Sequence, residues 1–152
     1  MTRVGLPAIV ILALVAVATA CESALSPTEI VSDSIRVVAR VSPTELPRGD
    51  TLTVTAGFHN RLDRPIGLTF SVGCPFYLSV IDGSGAAVPA EDWGYACTTA
   101  IWTMTVPALD SVVSTQRFVA SVGGVPIQPG HYAAQLDFTN GVWDLEVPFE
   151  VK

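Results

Sequence analysis

The last third of the chain alternates apolar and polar residues in two runs, Tyr132 to Phe138 and Trp143 to Val151, with Asn140-Gly141 between them. Alternation puts every second side chain on one face of a strand. Asn-Gly between two such runs predicts a hairpin closed by a type I′ turn, whose two central residues need positive φ. A two-residue loop also sets the register. It places Phe138 opposite Trp143, Leu136 opposite Leu145, Ala134 opposite Val147 and Tyr132 opposite Phe149, all on one face. The other face receives Asp137 opposite Asp144 and Gln135 opposite Glu146, side chains that water must solvate. A sheet with one wet and one apolar face predicts a second sheet packed on the apolar side.

The same period recurs upstream at intervals near ten residues, the spacing of a sandwich or small barrel. Strands are expected over Ile35 to Val41, Thr51 to Phe58, Ile66 to Phe70, Phe76 to Ile81 with a short return at Ala86 to Val88, Ala100 to Val106, and Ser111 to Ala120. Leu52, Val54, Ala56 and Phe58 point inward in the second of these, and Ile66, Leu68 and Phe70 in the third. Turn residues separate them, as in Pro47-Arg48-Gly49-Asp50 and Asp82-Gly83-Ser84-Gly85. No stretch sustains a helical period, and eleven prolines argue against one. The expectation is an all-β, immunoglobulin-like antiparallel β-sandwich of about eight or nine strands over residues 34–152. Gly130-His131-Tyr132, opening a late strand, resembles the tyrosine corner of such sandwiches, where the hydroxyl bonds back to upstream backbone. Pro89 to Thr99 has no regular period and is expected to be a loop held by Cys97.

The amino-terminal residues have a different pattern. Met1-Thr2-Arg3 is followed by an almost wholly apolar run from Val4 to Val17, then Ala18-Thr19-Ala20-Cys21. That is the layout of a bacterial secretory signal over residues 1–20. Ala18 and Ala20 suit an ordinary leader peptidase. A small residue directly before Cys21 resembles a lipobox, in which the cysteine is lipidated and becomes the new amino terminus, although Ala18 stands where that motif usually has Leu. Lipidation at Cys21 is the expectation, with a soluble secreted product or a retained membrane anchor as alternatives. Residues 21–33 are small and polar with a proline, and are expected to be a tether. Every route exports the domain.

With Cys21 set aside, Cys74 and Cys97 remain, and an even remainder in an exported chain predicts a disulfide. Neither His59 nor His131 stands at ligand spacing to them, so no metal and no cofactor is expected. Immunoglobulin cysteines are much farther apart, so the likeness is to the architecture alone. Acidic residues outnumber basic ones 14 to 8, and the arginines are scattered without a basic stripe, which argues against nucleic acid as a partner.

Catalysis has little to stand on. No Gly-x-Ser-x-Gly elbow occurs, and Ser84 belongs to a turn. His59, near Asp63, is expected to bond within a turn, and His131 to be solvated on the face opposite Tyr132. Glu91 and Asp92 are neighbours that do not converge on one substrate atom. No catalytic residue is assigned, and the chain is read as a non-enzyme. Binding is better represented: Trp93, Tyr95 and Trp102 cluster around Cys97, and such flat aromatic faces suit protein or glycan partners. Burial over the open end of the sandwich is the competing role for the same three side chains.

From about Leu52 to Leu136 the chain resembles the BsuPI-like family, named for a bacterial intracellular proteinase inhibitor. The resemblance rests on Asn60 before Ile66-Gly67-Leu68-Thr69-Phe70-Ser71, on Phe76 to Ile81 ending in Asp82-Gly83-Ser84-Gly85, and on Pro129-Gly130-His131-Tyr132. The chain departs from that family in Cys74 and Cys97, in Pro107-Ala108-Leu109-Asp110 where a Pro-Gly-Glu type turn is expected, and in its export signal. The resemblance implies the sandwich and, as a second reading, a protease inhibitor that presents the loop before Cys97. The first reading is an exported, membrane-anchored envelope protein whose domain binds a protein or glycan, or serves as a structural module.

Overall fold

A computed structural model of the chain describes residues 29–89 and 97–152. The described residues form an immunoglobulin-like antiparallel β-sandwich without helices. The first sheet has the order β1-β2-β4-β8, from Glu29–Val31, Ile35–Ser42, Thr51–Asn60 and Ser111–Val119. The second has the order β3-β12-β11-β6, from Glu45–Leu46, Asp144–Val151, Gly130–Phe138 and Phe76–Asp82. Two ribbons complete it, β5 (Ile66–Phe70) with β7 (Trp102–Val106) and β9 (Ser121–Val122) with β10 (Val125–Pro126). The chain changes sheets between β2 and β3, across a cis Ser42–Pro43 peptide, and β3 then runs parallel to β12. Among the described residues eight strands have five residues or more and four are shorter, none of the four announced by the sequence pattern. The short return expected at Ala86 to Val88 is a single bridge, Ile81 to Ala87.

The alternation decides what lies between the sheets. Ile35, Val37, Ala39 and Val41 of β2, and Leu52, Val54, Ala56 and Phe58 of β4, meet Ala134, Leu136 and Phe138 of β11 and Leu145, Val147 and Phe149 of β12, all buried. At one end Phe58 stands edge-on to Phe70 and Phe138, with ring centroids 6.0 and 5.8 Å apart. Phe76 lies 5.6 Å from Phe138 and extends the cluster. Full burial of each such ring contributes about 1.5–3 kcal/mol. At the opposite end Tyr132 stacks on Phe149, and its hydroxyl donates to the Gln128 carbonyl at 2.8 Å, which is the expected tyrosine corner.

The final hairpin has the expected register, with Tyr132, Ala134 and Leu136 opposite Phe149, Val147 and Leu145, but not the expected turn. Only Gly141 of the Asn-Gly pair has a positive φ, 70°. The Phe138 amide donates to the Trp143 carbonyl, and the Gly141 amide to the Phe138 carbonyl, so the loop has four residues, 139–142. Thr139 explains the widening. Its amide donates to the Pro75 carbonyl and its own carbonyl accepts from Ser71, so it is committed to the neighbouring segment and cannot close a two-residue turn.

Three residues of the stretch read as tether, Glu29–Val31, pair with β2, so the first sheet begins earlier than residue 34. The strand expected from Ala100 starts at Trp102. Among the described residues no helix is long and apolar enough to cross a membrane.

Candidate binding end at the Cys74–Cys97 disulfide

The Phe58 end of the sandwich carries Trp102 and the Cys74–Cys97 disulfide. The alternation of Ile66, Leu68 and Phe70 against Trp102, Met104 and Val106 turns one side of the β5–β7 ribbon inward, while Thr69 and Thr103 meet on the outside with hydroxyls 3.3 Å apart. Phe70 is fully buried. Trp102, its register partner, stacks on it with centroids 5.7 Å apart and an interplanar angle of 26°, and stays 39% exposed. One face of the indole therefore belongs to the core, and part of the ring is open to solvent. Ile101, beside it in the chain, is 75% exposed.

The disulfide forms between Cys74 and Cys97 as expected, with their Cα atoms 5.2 Å apart. It fastens the segment after β5 to the segment that leads into β7. Gly73 makes the approach possible: its amide donates to the Thr98 carbonyl at 2.9 Å, and a Cβ there would collide with the Thr98 hydroxyl. The buried Thr139 hydroxyl donates to the Cys74 carbonyl at 2.7 Å and so ties the cystine to the final hairpin. A disulfide of this kind is compatible with an exported protein.

Asn60, which carries part of the family resemblance, is a buried hub beneath this end. Its Nδ2 donates to the carbonyls of Arg64, Val106 and Pro107 at 2.7, 3.2 and 2.9 Å, and its Oδ1 accepts from the Leu62 amide at 2.9 Å. It joins the end of β4 to the start of β5 and the end of β7. Trp93 and Tyr95 lie outside the described residues, as do Cys21, Glu91 and Asp92. Of the three aromatic candidates, Trp102 alone is placed.

The remaining singled-out residues are dispersed. His131 points out of the second sheet, opposite Glu150, on the face away from Tyr132 as expected. His59 does not bond Asp63. Its ring lies over Gly57 on the outer face of the first sheet, where a Gly57 Cβ would stand 3.2 Å from Nε2. Strand alternation points the His59 side chain out of the sheet, and the hollow above a glycine receives it. Asp82 to Gly85 is the expected hairpin turn. The Asp82 carboxylate accepts from the Ser84 hydroxyl at 2.6 Å and from the Ser84 and Ala86 amides at 2.8 and 3.0 Å. These bonds favour the charged form, the Ser84 hydroxyl foremost, and hold the carboxyl below its ordinary range. Among the described residues no group of three or more His, Cys, Asp or Glu side chains could hold a metal.

No protein-family model matches the chain, and no curated protein matches it significantly. Among solved structures it is similar to an alkylpurine DNA glycosylase from Pseudomonas fluorescens, at 12% identity and a TM-score of 0.45, over 76% of this chain and 30% of that one. It is also similar to a β-glucosidase from Listeria innocua, at 14% identity and a TM-score of 0.44, over 77% of this chain and 16% of that one. The chain thus spans less than a third of the length of either protein. Similarities this weak set no expectation for its activity.

Proposed function

We propose that this chain is an exported bacterial envelope protein, lipid-anchored through Cys21, whose single domain is a non-catalytic binding module. The observation that carries the reading is the polarity of β1. Glu29 lies opposite Val38 and Val31 opposite Arg36, so the chain enters this strand from the side of Arg40 and Ser42. The disulfide, Phe70 and Trp102 lie at the other end, over Phe58. A tether attached at the first end would hold the domain to the membrane and leave the aromatic, disulfide-fastened end facing outward. Trp102 supplies a partly exposed flat face on a rigid ribbon, the kind of anchor that dominates binding interfaces.

Two measurements test this. Intact mass of the protein from its producing cell is expected to show a product that starts at Cys21 and carries acyl chains; an unmodified product would remove the anchor. A photo-crosslinking residue at position 101 is expected to trap a partner in the native envelope, while the same residue at position 131 is not. Adducts from neither position, or equally from both, would remove the binding end.

A second reading, a protease inhibitor of BsuPI-like type, is favoured by the covalent fastening of Cys97 to Cys74, since an inhibitory segment before Cys97 would need a fixed end. Stoichiometric inhibition of a subtilisin-like protease, abolished by reduction of the disulfide, would promote it over the first.

A further inference from the structure

The two outer faces of the sandwich carry opposite charge. On the second sheet, strand alternation turns Asp144, Glu146 and Glu150 of β12, and Asp137 of β11, to the outside, with Glu45 exposed on β3. Lys152 pairs with Glu150 at 2.7 Å and with Glu45 at 3.7 Å, and His131 stands opposite Glu150, so the excess negative charge comes from Asp137, Asp144 and Glu146. The outer face of the first sheet carries Arg36 and Arg40 of β2, His59 of β4 and Arg117 of β8, against Glu29 alone. Glu29 neutralises Arg36 through an ion pair of 2.6 Å. Arg40 and Arg117 have no ion pair or side-chain hydrogen bond among the described residues. In a chain of net charge −6 two such arginines on one open face are a local exception.

Their placement is specific. Arg40 pairs across β4 with Thr55 and Thr115, and Arg117 pairs with Thr53 and Ser42, so the two guanidinium groups flank a floor of small hydroxyl side chains. Beside this floor is a hollow of about 160 Å³, lined by Arg40, Thr55, Gly57, Val113 and the His59 ring. Cationic and hydroxyl donors around a shallow recess suit a phosphate-bearing headgroup. Both arginines also stand in the half of the face from which the chain enters β1.

We infer that this half of the first sheet's outer face is a docking surface for an anionic phospholipid membrane, with Arg40 and Arg117 as its phosphate contacts. The inference rests on the anchored reading above and deepens it. Cys21 precedes Glu29 by eight residues, which span at most about 29 Å. Such a tether lets an anchored domain reach the lipid surface, and surface charge acts on it within about a Debye length, roughly 8–10 Å, of that surface. The acidic second sheet is repelled by anionic headgroups and the arginine-bearing half attracted, so the domain is turned in one direction. Exposed Val119, opposite Thr51, adds apolar contact in the same half of the face.

The test is partitioning of the exported chain carrying Cys21→Ala, in low salt, onto phosphatidylglycerol–phosphatidylethanolamine vesicles and onto phosphatidylcholine vesicles. Binding is expected to the anionic vesicles, to be abolished by 0.5 M salt, and to fall roughly 25-fold in the Arg40→Ala/Arg117→Ala variant, at about fivefold per arginine. Asp137→Asn/Asp144→Asn is expected to retain it. The absence of binding, equal binding to both vesicle types, or equal binding of wild type and arginine variant would overturn the inference, as would binding to soluble polyphosphate but not to vesicles. Intact mass decides the anchor separately. Acylation at Cys21 with no vesicle preference sinks the docking surface alone, and vesicle preference without acylation sinks the anchor alone.

Discussion

The Thr139 hydroxyl donates to the Cys74 carbonyl at 2.7 Å, from the first residue of the last hairpin loop to a residue of the disulfide. This bond fixes the cystine to the second sheet, and the backbone of Thr139 reinforces it through Pro75 and Ser71. Thr139→Val keeps the shape and leaves a carbonyl short of its donor. A loss of about 1–3 kcal/mol is expected, read as a lowered denaturant midpoint at unchanged slope. An unchanged midpoint would mean that water replaces the hydroxyl without cost.

The disulfide closes a separation of 23 residues. In the chain-entropy account such a loop contributes about 3 kcal/mol by restricting the unfolded chain. Cys74→Ala/Cys97→Ala is expected to lower stability by roughly that amount while β-sheet circular dichroism is retained, because the sheets pack without the bridge. Loss of the sheet signal at room temperature would show that the cystine is needed for folding itself.

Asn60 sits under the same end, and Asn60→Ala removes the donor for three carbonyls together with the acceptor of Leu62. The expected cost is about 3 kcal/mol, since buried groups are left unpaired. Asn60→Asp is expected to be worse than Ala, because it turns a carboxylate toward those carbonyls. If thermal melts place Asp above Ala, the assigned orientation of the amide is wrong.

These cases show what the residue pattern reveals and what it hides. Period-two alternation made the long strands and the hairpin register legible, because inward and outward positions differ in polarity at every step. Cysteine parity made the disulfide legible, and Gly130-His131-Tyr132 the tyrosine corner. The turn at Asn140-Gly141 departs from its local signal because Thr139 is claimed by a segment more than sixty residues away, which no local pattern records. Gln116 is a similar case. It occupies an inward position of β8, and its Nε2 reaches the Phe76 carbonyl at 2.7 Å across the sandwich. The burial of Asn60 has no local signal, since it follows from the packing of the β5–β7 ribbon. The charge difference between the outer faces appears only when the sheet order is known, because the arginines are distant in the chain.

Tyr132→Phe removes the hydroxyl that bonds the Gln128 carbonyl and leaves the stack on Phe149 in place. A loss of about 0.5–1.5 kcal/mol is expected, the net value of one hydrogen bond. Burial and the neighbouring Asp82 charge also raise the pKa of this phenol. Its ultraviolet titration is therefore expected above the ordinary tyrosine range, and a Tyr132 titrating at the ordinary value would contradict its burial beside Asp82.

The Asp82 turn gives a pH dependence whose sign follows from its bonds. The folded carboxyl has a lowered pKa because the Ser84 hydroxyl and the Ser84 and Ala86 amides all donate to its charged form. A group depressed in the folded state contributes its full stabilisation above its unfolded pKa and loses it as pH falls through the folded one. The turn is thus expected to be intact at neutral pH and to loosen only in acid below the ordinary aspartate range. A carboxyl-detected NMR titration should place the Asp82 midpoint below 3.8, the ordinary value. The Ser84 and Ala86 amide resonances should move at the same midpoint, and Asp82→Asn should abolish that shared transition. A midpoint at or above the ordinary value, or amides that move independently of it, would mean that the carboxylate does not organise this turn in solution.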